Sequence, residues 1–126
     1  MIVGTGIDIT SIKRIKSLIE KKGEKFLQRV FTENEISYCN DRKDSASSFA
    51  ARFAAKEAFL KALGKGIYQG ISLRDISIEN DTTGKPAIVL AEGIKVNRDI
   101  ERFDKIHLSL SHEENLAIAM VIIESY

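Results

Sequence analysis

The sequence predicts an α+β domain, a mostly antiparallel sheet with helices packed on it, and three observations lead there. Apolar and polar residues alternate near both ends, over Ile2 to Ile9 and Ile106 to Ser111, which is the two-residue period of a strand. Between them lies a long stretch of helical periodicity, Ser47 to Leu63, rich in alanine. The chain has 126 residues, 44% apolar and 29% charged, which suits one globular domain over 1–126 and excludes a disordered chain.

In order, Ile2 to Ile9 reads as a strand with Ile7 and Ile9 on one side and Asp8 on the other, so that Asp8 is held beside a core. Ser11 can N-cap a helix whose apolar stripe is Ile12, Ile15, Leu18 and Ile19, with cations on the opposite face. A second helix covers about Glu24 to Val30. Thr32 with Glu35 three residues on forms a capping box that starts another turn or two. The helix from Ser47 ends at Gly64, a residue suited to the left-handed position past a helix. Its wheel carries one stripe of Phe49, Phe53, Leu60 and Leu63, while Ala50, Ala51, Ala54, Ala55, Ala58 and Ala62 fill most of the rest. A helix with no ordinary polar face is buried, so Arg52, Lys56, Glu57 and Lys61 need ionic partners or bound ions. Beyond the loop 64–70, Leu73, Ile76 and Ile78 alternate as a strand, Asn80 to Pro86 turns, and Ala87 to Ala91 closes a hairpin. A short helix around Ile94 to Phe103 leads to the strand at Ile106. Leu116 to Ile123, apolar on both faces, reads as the central strand.

The formal charge is only +1, yet Lys13, Arg14, Lys16, Lys21 and Lys22 face the single anion Glu20 between Ser11 and Lys22. Such a patch can draw nucleic acid, anionic lipid or an acidic protein, and the neutrality of the whole argues against a dedicated nucleic-acid binder. The one cysteine, Cys39, cannot form an internal disulfide, and no basic region followed by an apolar export segment opens the sequence, so a cytoplasmic protein is expected. No apolar run approaches the roughly 20 residues of a spanning helix, so no membrane span is expected. Two histidines and one cysteine make zinc a poor fit.

Taken singly, the chemical candidates are ambiguous. Gly4-Thr5-Gly6 lacks the third glycine of a dinucleotide fingerprint, and Gly64-Lys65-Gly66 misses the phosphate-loop pattern, though exposed amides beside a lysine suit phosphate. Asp8 alone reads as a turn or cap residue. Glu57 and Lys61, four apart, read as a supporting ion pair, except that their alanine surroundings look prepared for a metal and phosphates. Arg52 and Lys56 either snorkel past the phenylalanines or bind phosphate. His112 reads first as a histidine satisfying a turn.

Together, Gly4-Thr5-Gly6-Ile7-Asp8-Ile9, the run from Arg52 through Phe53-Ala54-Ala55-Lys56-Glu57-Ala58 to Gly64, and Ser109-Leu110-Ser111-His112-Glu113 resemble the bacterial holo-acyl-carrier-protein synthases, in order and at family spacing. One departure is Leu116, where many members carry an aromatic residue. The resemblance implies a 4′-phosphopantetheinyl transferase fold and transfer of 4′-phosphopantetheine from coenzyme A to a serine of apo-acyl carrier protein, in support of fatty acid biosynthesis. It implies Mg²⁺ on Asp8 and Glu57, with Lys61 neutralising the leaving group and Glu57, directly or through metal-bound water, helping to remove the serine proton. It also implies donor phosphates held by Arg52, Lys56, Lys61, Gly64, Lys65, Gly66 and His112, and a homotrimer with sites between subunits. Lys13, Arg14, Lys21 and Lys22 would then steer the acidic carrier protein. A binding module without turnover and a purely structural oligomeric domain are the alternatives.

Overall fold

The computed structural model describes residues 1–64, 71–92, 94 and 105–125. Strand β1 (Ile2–Ser11) leads into helices α1 (Ile12–Lys22), α2 (Glu24–Val30), α3 (Glu33–Asn40) and α4 (Ser45–Leu63). A 3₁₀ turn at Leu73–Asp75 opens the hairpin β2 (Ile76–Asn80) and β3 (Pro86–Leu90), and the long hairpin β4 (Lys105–Glu113) and β5 (Leu116–Glu124) ends the fold. Among the described residues all strand pairs are antiparallel. They form two sheets, one of order β1-β5-β4 and one of β2-β3. The strand expected from Leu73 therefore starts at Ile76, because Ser72 and Asp75 close a capping box that winds the intervening residues. The short helix expected around Ile94 to Phe103 lies outside the described residues apart from Ile94.

Ser11 caps α1 by accepting a hydrogen bond from the Arg14 amide, and Thr32 and Glu35 complete the expected capping box on α3. Helix α4 begins two residues earlier than its apolar pattern suggests, since the Asp44 side chain accepts from the Ser47 amide. Gly64 ends it at φ 87°, a conformation that glycine adopts without the Cβ penalty.

The buried face of α4 lies on β1 and β5. The outward parity of β1 carries Ile7 and Ile9, which are exposed, whereas Gly4, Gly6, Asp8 and Thr10 face α4. A Cβ on Gly4 would stand 2.0 Å from the Ala62 carbonyl oxygen, and one on Gly6 1.9 Å from that of Ala58. The glycine pair serves a helix seated directly on strand backbone, and Ala58 and Ala62 are the matching small residues. One apolar cluster joins Phe59, Leu60 and Leu63 to Ile76, Ile78, Val121 and Ile123; a second packs Phe31 and Phe49, ring centroids 4.9 Å apart, with Ile15 and Val30. Strand β5 is central as expected. Ala117, Ala119, Val121 and Ile123 point into the core, while Leu116 and Met120 join Val3, Ile7 and Ile9 on an open apolar face.

Candidate active site

Because α4 sits so close to β1, residues far apart in sequence meet at its C-terminal half. The Asp8 carboxylate accepts from Thr10 Oγ1 at 2.8 Å on one oxygen and from Lys61 Nζ at 3.1 Å on the other. Lys61 also donates to the Ile7 carbonyl at 3.0 Å. Lys61 thus bridges to the strand, where a pairing with Glu57 on its own helix was the simple reading. Glu57 stands beside both. Its burial pushes its carboxyl above the ordinary range and the Asp8 charge adds to the shift, with Lys61 opposing. A half-buried Glu57 carboxyl raised partly by the neighbouring Asp8 charge fits a hard cation placed between the two. Among the described residues no group of three or more His, Cys, Asp or Glu could hold a metal. Such an ion would need oxygens from water or from a ligand's phosphates, which is the habit of Mg²⁺.

A second feature occupies the N-terminal half of α4. A cleft of about 440 Å³ is lined by Tyr38, Ser48, Arg52, Asn80, Pro86 and His112, among others. Arg52 and His112, singled out in the sequence, are brought together here: His112 lies on the core-facing parity of β4 but runs past the core. The Arg52 guanidinium lies 4.2 Å from the Tyr38 ring centroid, and Arg42 lies 4.4 Å from it. Burial raises the Tyr38 phenol, but hydrogen bonds with Arg42 and Asn80 and the two nearby guanidinium charges outweigh it and hold the pKa below the usual value. Arg52 is 5% exposed and its Nε is buried without a hydrogen-bond partner. A buried N–H left open at the wall of a cleft is fit for an acceptor oxygen of a ligand. A stack of ring and guanidinium planes suits a flat heterocycle.

Lys56, expected at the donor's phosphates, is corrected by its position. It is 0% exposed, and its ammonium reaches Glu35 at 2.6 Å and the carbonyls of Val30, Leu73 and Ile76 at 2.8, 3.0 and 2.6 Å. Its three protons are already spent on those acceptors. Gly64 ends α4 as described, while Lys65 and Gly66 lie outside the described residues. Lys13, Arg14, Lys21 and Lys22 are all exposed. The cationic face extends further than the sequence reading took it, since Lys25, Phe26 and Arg29 of α2 line one concavity with Lys21 and Lys22. Their spacing on a predicted helix was the available signal. Thr10 was also missed, although it shares Asp8's strand face. Tyr38, Asn80 and Pro86 carried no sequence signal for the cleft.

A family model described as the 4′-phosphopantetheinyl transferase superfamily matches residues 4–121. The holo-[acyl-carrier-protein] synthase of Geotalea daltonii is 47% identical over 124 residues, covering 98% of this chain and 99% of that protein. The crystal structure of the Neisseria meningitidis holo-[acyl-carrier-protein] synthase aligns with a TM-score of 0.88 at 38% identity, covering 99% of this chain and 100% of that one. The corresponding Bacillus anthracis protein, solved in complex with CoA (3′,5′-ADP), aligns with a TM-score of 0.81 at 38% identity over 100% of this chain and 99% of that one. Matched along nearly its whole length by a family model and by relatives of its own size, the chain belongs to the 4′-phosphopantetheinyl transferase superfamily.

Proposed function

We propose that this protein is a Mg²⁺-dependent holo-[acyl-carrier-protein] synthase: it moves 4′-phosphopantetheine from coenzyme A to a serine of apo-acyl carrier protein and releases adenosine 3′,5′-bisphosphate. The observation that carries the reading is the meeting of Asp8, Glu57 and Lys61 where α4 crosses β1, in a chain whose relatives are holo-[acyl-carrier-protein] synthases. Asp8 and Glu57 would hold Mg²⁺, which would supply charge neutralisation on the phosphate oxygens during displacement. Thr10 and Lys61 orient Asp8. Lys61, half exposed and anchored on Asp8 and the Ile7 carbonyl, would direct its remaining proton toward the departing 5′-phosphate. The serine oxygen forms a bond to the phosphorus that bears the pantetheine arm, the bond from that phosphorus to the adenosine 5′-phosphate oxygen breaks, and the serine proton passes to Glu57.

The second cluster supports a shared site. Arg52 and Glu57 are five residues apart, about 140° around the helix at ~100° per residue. Among the described residues neither Asp8 nor Glu57 lines the Arg52–His112 cleft. One chain therefore offers its carboxylates to one side and its cleft to another, which suits a homotrimer in which the carboxylates of one copy meet the cleft of the next. The open apolar sheet face of Val3, Ile7, Ile9, Leu116 and Met120 is the natural contact surface between copies. The cations of α1 and α2 would receive the acidic carrier. A cytoplasmic location is in keeping with the buried free thiol of Cys39.

The test is to incubate the protein with coenzyme A, Mg²⁺ and an apo-acyl carrier protein and to weigh the carrier by intact-protein mass spectrometry. A phosphopantetheine-sized gain that vanishes with chelator and with Asp8→Ala supports the reading; an unchanged carrier mass under all magnesium conditions refutes it.

A further inference from the structure

The buried partner network around Lys56 reaches three separate parts of the chain. Its ammonium holds the Val30 carbonyl at the end of α2, the Leu73 and Ile76 carbonyls at the start of the β2-β3 hairpin, and Glu35 at the start of α3. Glu35 is 1% exposed and equally occupied. One of its oxygens accepts from the Thr32 amide at 2.9 Å and from Lys56; the other accepts from the Ile78 amide of β2 at 3.0 Å. Thr32 Oγ1 lies a further 3.0 Å from Ser77 Oγ. Leu73, Ile76, Ser77 and Ile78 are thus tied by directed hydrogen bonds to α3 and α4, and Asn80, a wall of the Arg52–His112 cleft, follows two residues later. Tyr38, also lining the cleft, sits one turn beyond Glu35 on α3. The apolar contacts of Ile76 and Ile78 also hold the hairpin, but such contacts are non-directional and permit sliding. Among the described residues the polar network around Lys56 and Glu35, together with the Arg74 bonds to the Gln28 carbonyl and to Glu33, supplies the directed contacts that fix the hairpin's register.

We propose that Glu35 and Lys56 are positioning residues for donor binding: by locking the β2-β3 hairpin in register against α3 and α4, they set the spacing of the Tyr38–Asn80–Arg52 cleft and hence the affinity for the adenosine end of coenzyme A. This rests on the coenzyme A reading above. Neither residue touches the reacting atoms. Their loss acts on donor binding and leaves the chemistry at Asp8 and Glu57 in place.

The experiment replaces the whole pair, Lys56→Met with Glu35→Gln, because removing both charges of a buried pair costs less stability than removing one. The expected result is a melting temperature below wild type, since the Val30, Leu73 and Ile76 carbonyls lose their donor, but above that of Lys56→Met alone, with KM for coenzyme A raised about tenfold, kcat within about twofold and KM for the carrier unchanged. Amide exchange at Ile78 and Asn80 speeds up in parallel. If the double variant does not fold, Ser77→Ala is measured, which removes the Thr32–Ser77 tie and leaves the buried ion pair intact, with a smaller KM shift for coenzyme A in the same sense expected. A folded variant with unaltered KM for coenzyme A, or with kcat reduced and KM unchanged, overturns the proposal. A wild-type chain without transfer refutes the coenzyme A reading instead; hairpin exchange identical in wild type and variant then overturns the network's role independently of activity.

Discussion

Lys56 and Glu57 are consecutive residues of α4, about 100° apart around its axis, and the fold treats them in opposite ways. Lys56 turns into the core, where four acceptors at hydrogen-bond distance surround its ammonium. Burial lowers its pKa and Glu35 opposes the shift, an internally balanced arrangement. Glu57 turns toward β1 and meets Asp8, a charge of its own sign, with Lys61 committed to Asp8 rather than to it. A buried charge whose partners are complete holds structure together. A half-buried charge facing its like is set up for something that arrives later. Lys56 therefore belongs to architecture and the proposed chemistry falls to Glu57, although sequence alone presents them as one Lys-Glu step.

This contrast can be broken by substitution, and the largest expected effect is on Lys56. Lys56→Met alone strands the Glu35 carboxylate in the core and is expected to cost about 3–5 kcal/mol of unfolding free energy, read by chemical denaturation. Next comes Gly6→Ala, which drives a methyl group against the Ala58 carbonyl. Neither backbone yields easily, so a loss of about 3 kcal/mol, the upper end for overpacking, is expected together with reduced transfer as α4 lifts from Asp8.

The pH dependence sharpens the other side of the comparison. Glu57 is raised in the folded state, so its contribution to stability without metal is full below the ordinary glutamate range and is lost as pH rises through its elevated folded value. Under the proposed function, Mg²⁺ between the carboxylates would reverse that loss. The metal-induced rise in melting temperature should therefore be larger at neutral pH than in mild acid; a rise independent of pH would separate Glu57 from the metal. The smallest effect belongs to the cationic face. Lys21→Glu with Lys22→Glu should raise KM for the carrier several-fold at low ionic strength, and less at high, where the Debye length shrinks to about 3–8 Å. Stability should not move.

How much could be read in the sequence follows the reach of each interaction. The Thr32–Glu35 capping box and the Ser11 cap act within one turn, and both are legible from local spacing. The alternation of β4 and the apolar run of β5 likewise marked both as strands and β5 as central. Glu35 shows the limit. Its role as a cap was visible, but its burial depends on Lys56, 21 residues away, and on the Ile78 amide, 43 away. Asp8 and Lys61 are 53 apart in sequence, and the resemblance to a family, not periodicity, brought them into one site. The glycines of β1 were visible as residues but not as a seat for α4, since their purpose exists only once the helix is in place. The cleft draws on α3, α4, the β2-β3 hairpin and β4, and no local pattern could assemble it.

The most direct measurement is a paired one on Glu57→Gln: thermal unfolding of the metal-free protein at neutral pH, and transfer of phosphopantetheine to apo-carrier with Mg²⁺. The account predicts a melting temperature equal to or above that of wild type, because repulsion with Asp8 is relieved, and transfer reduced at least about a hundredfold. Retained transfer, or a melting temperature depressed as far as that of Lys56→Met, would contradict it and make Glu57 another structural charge.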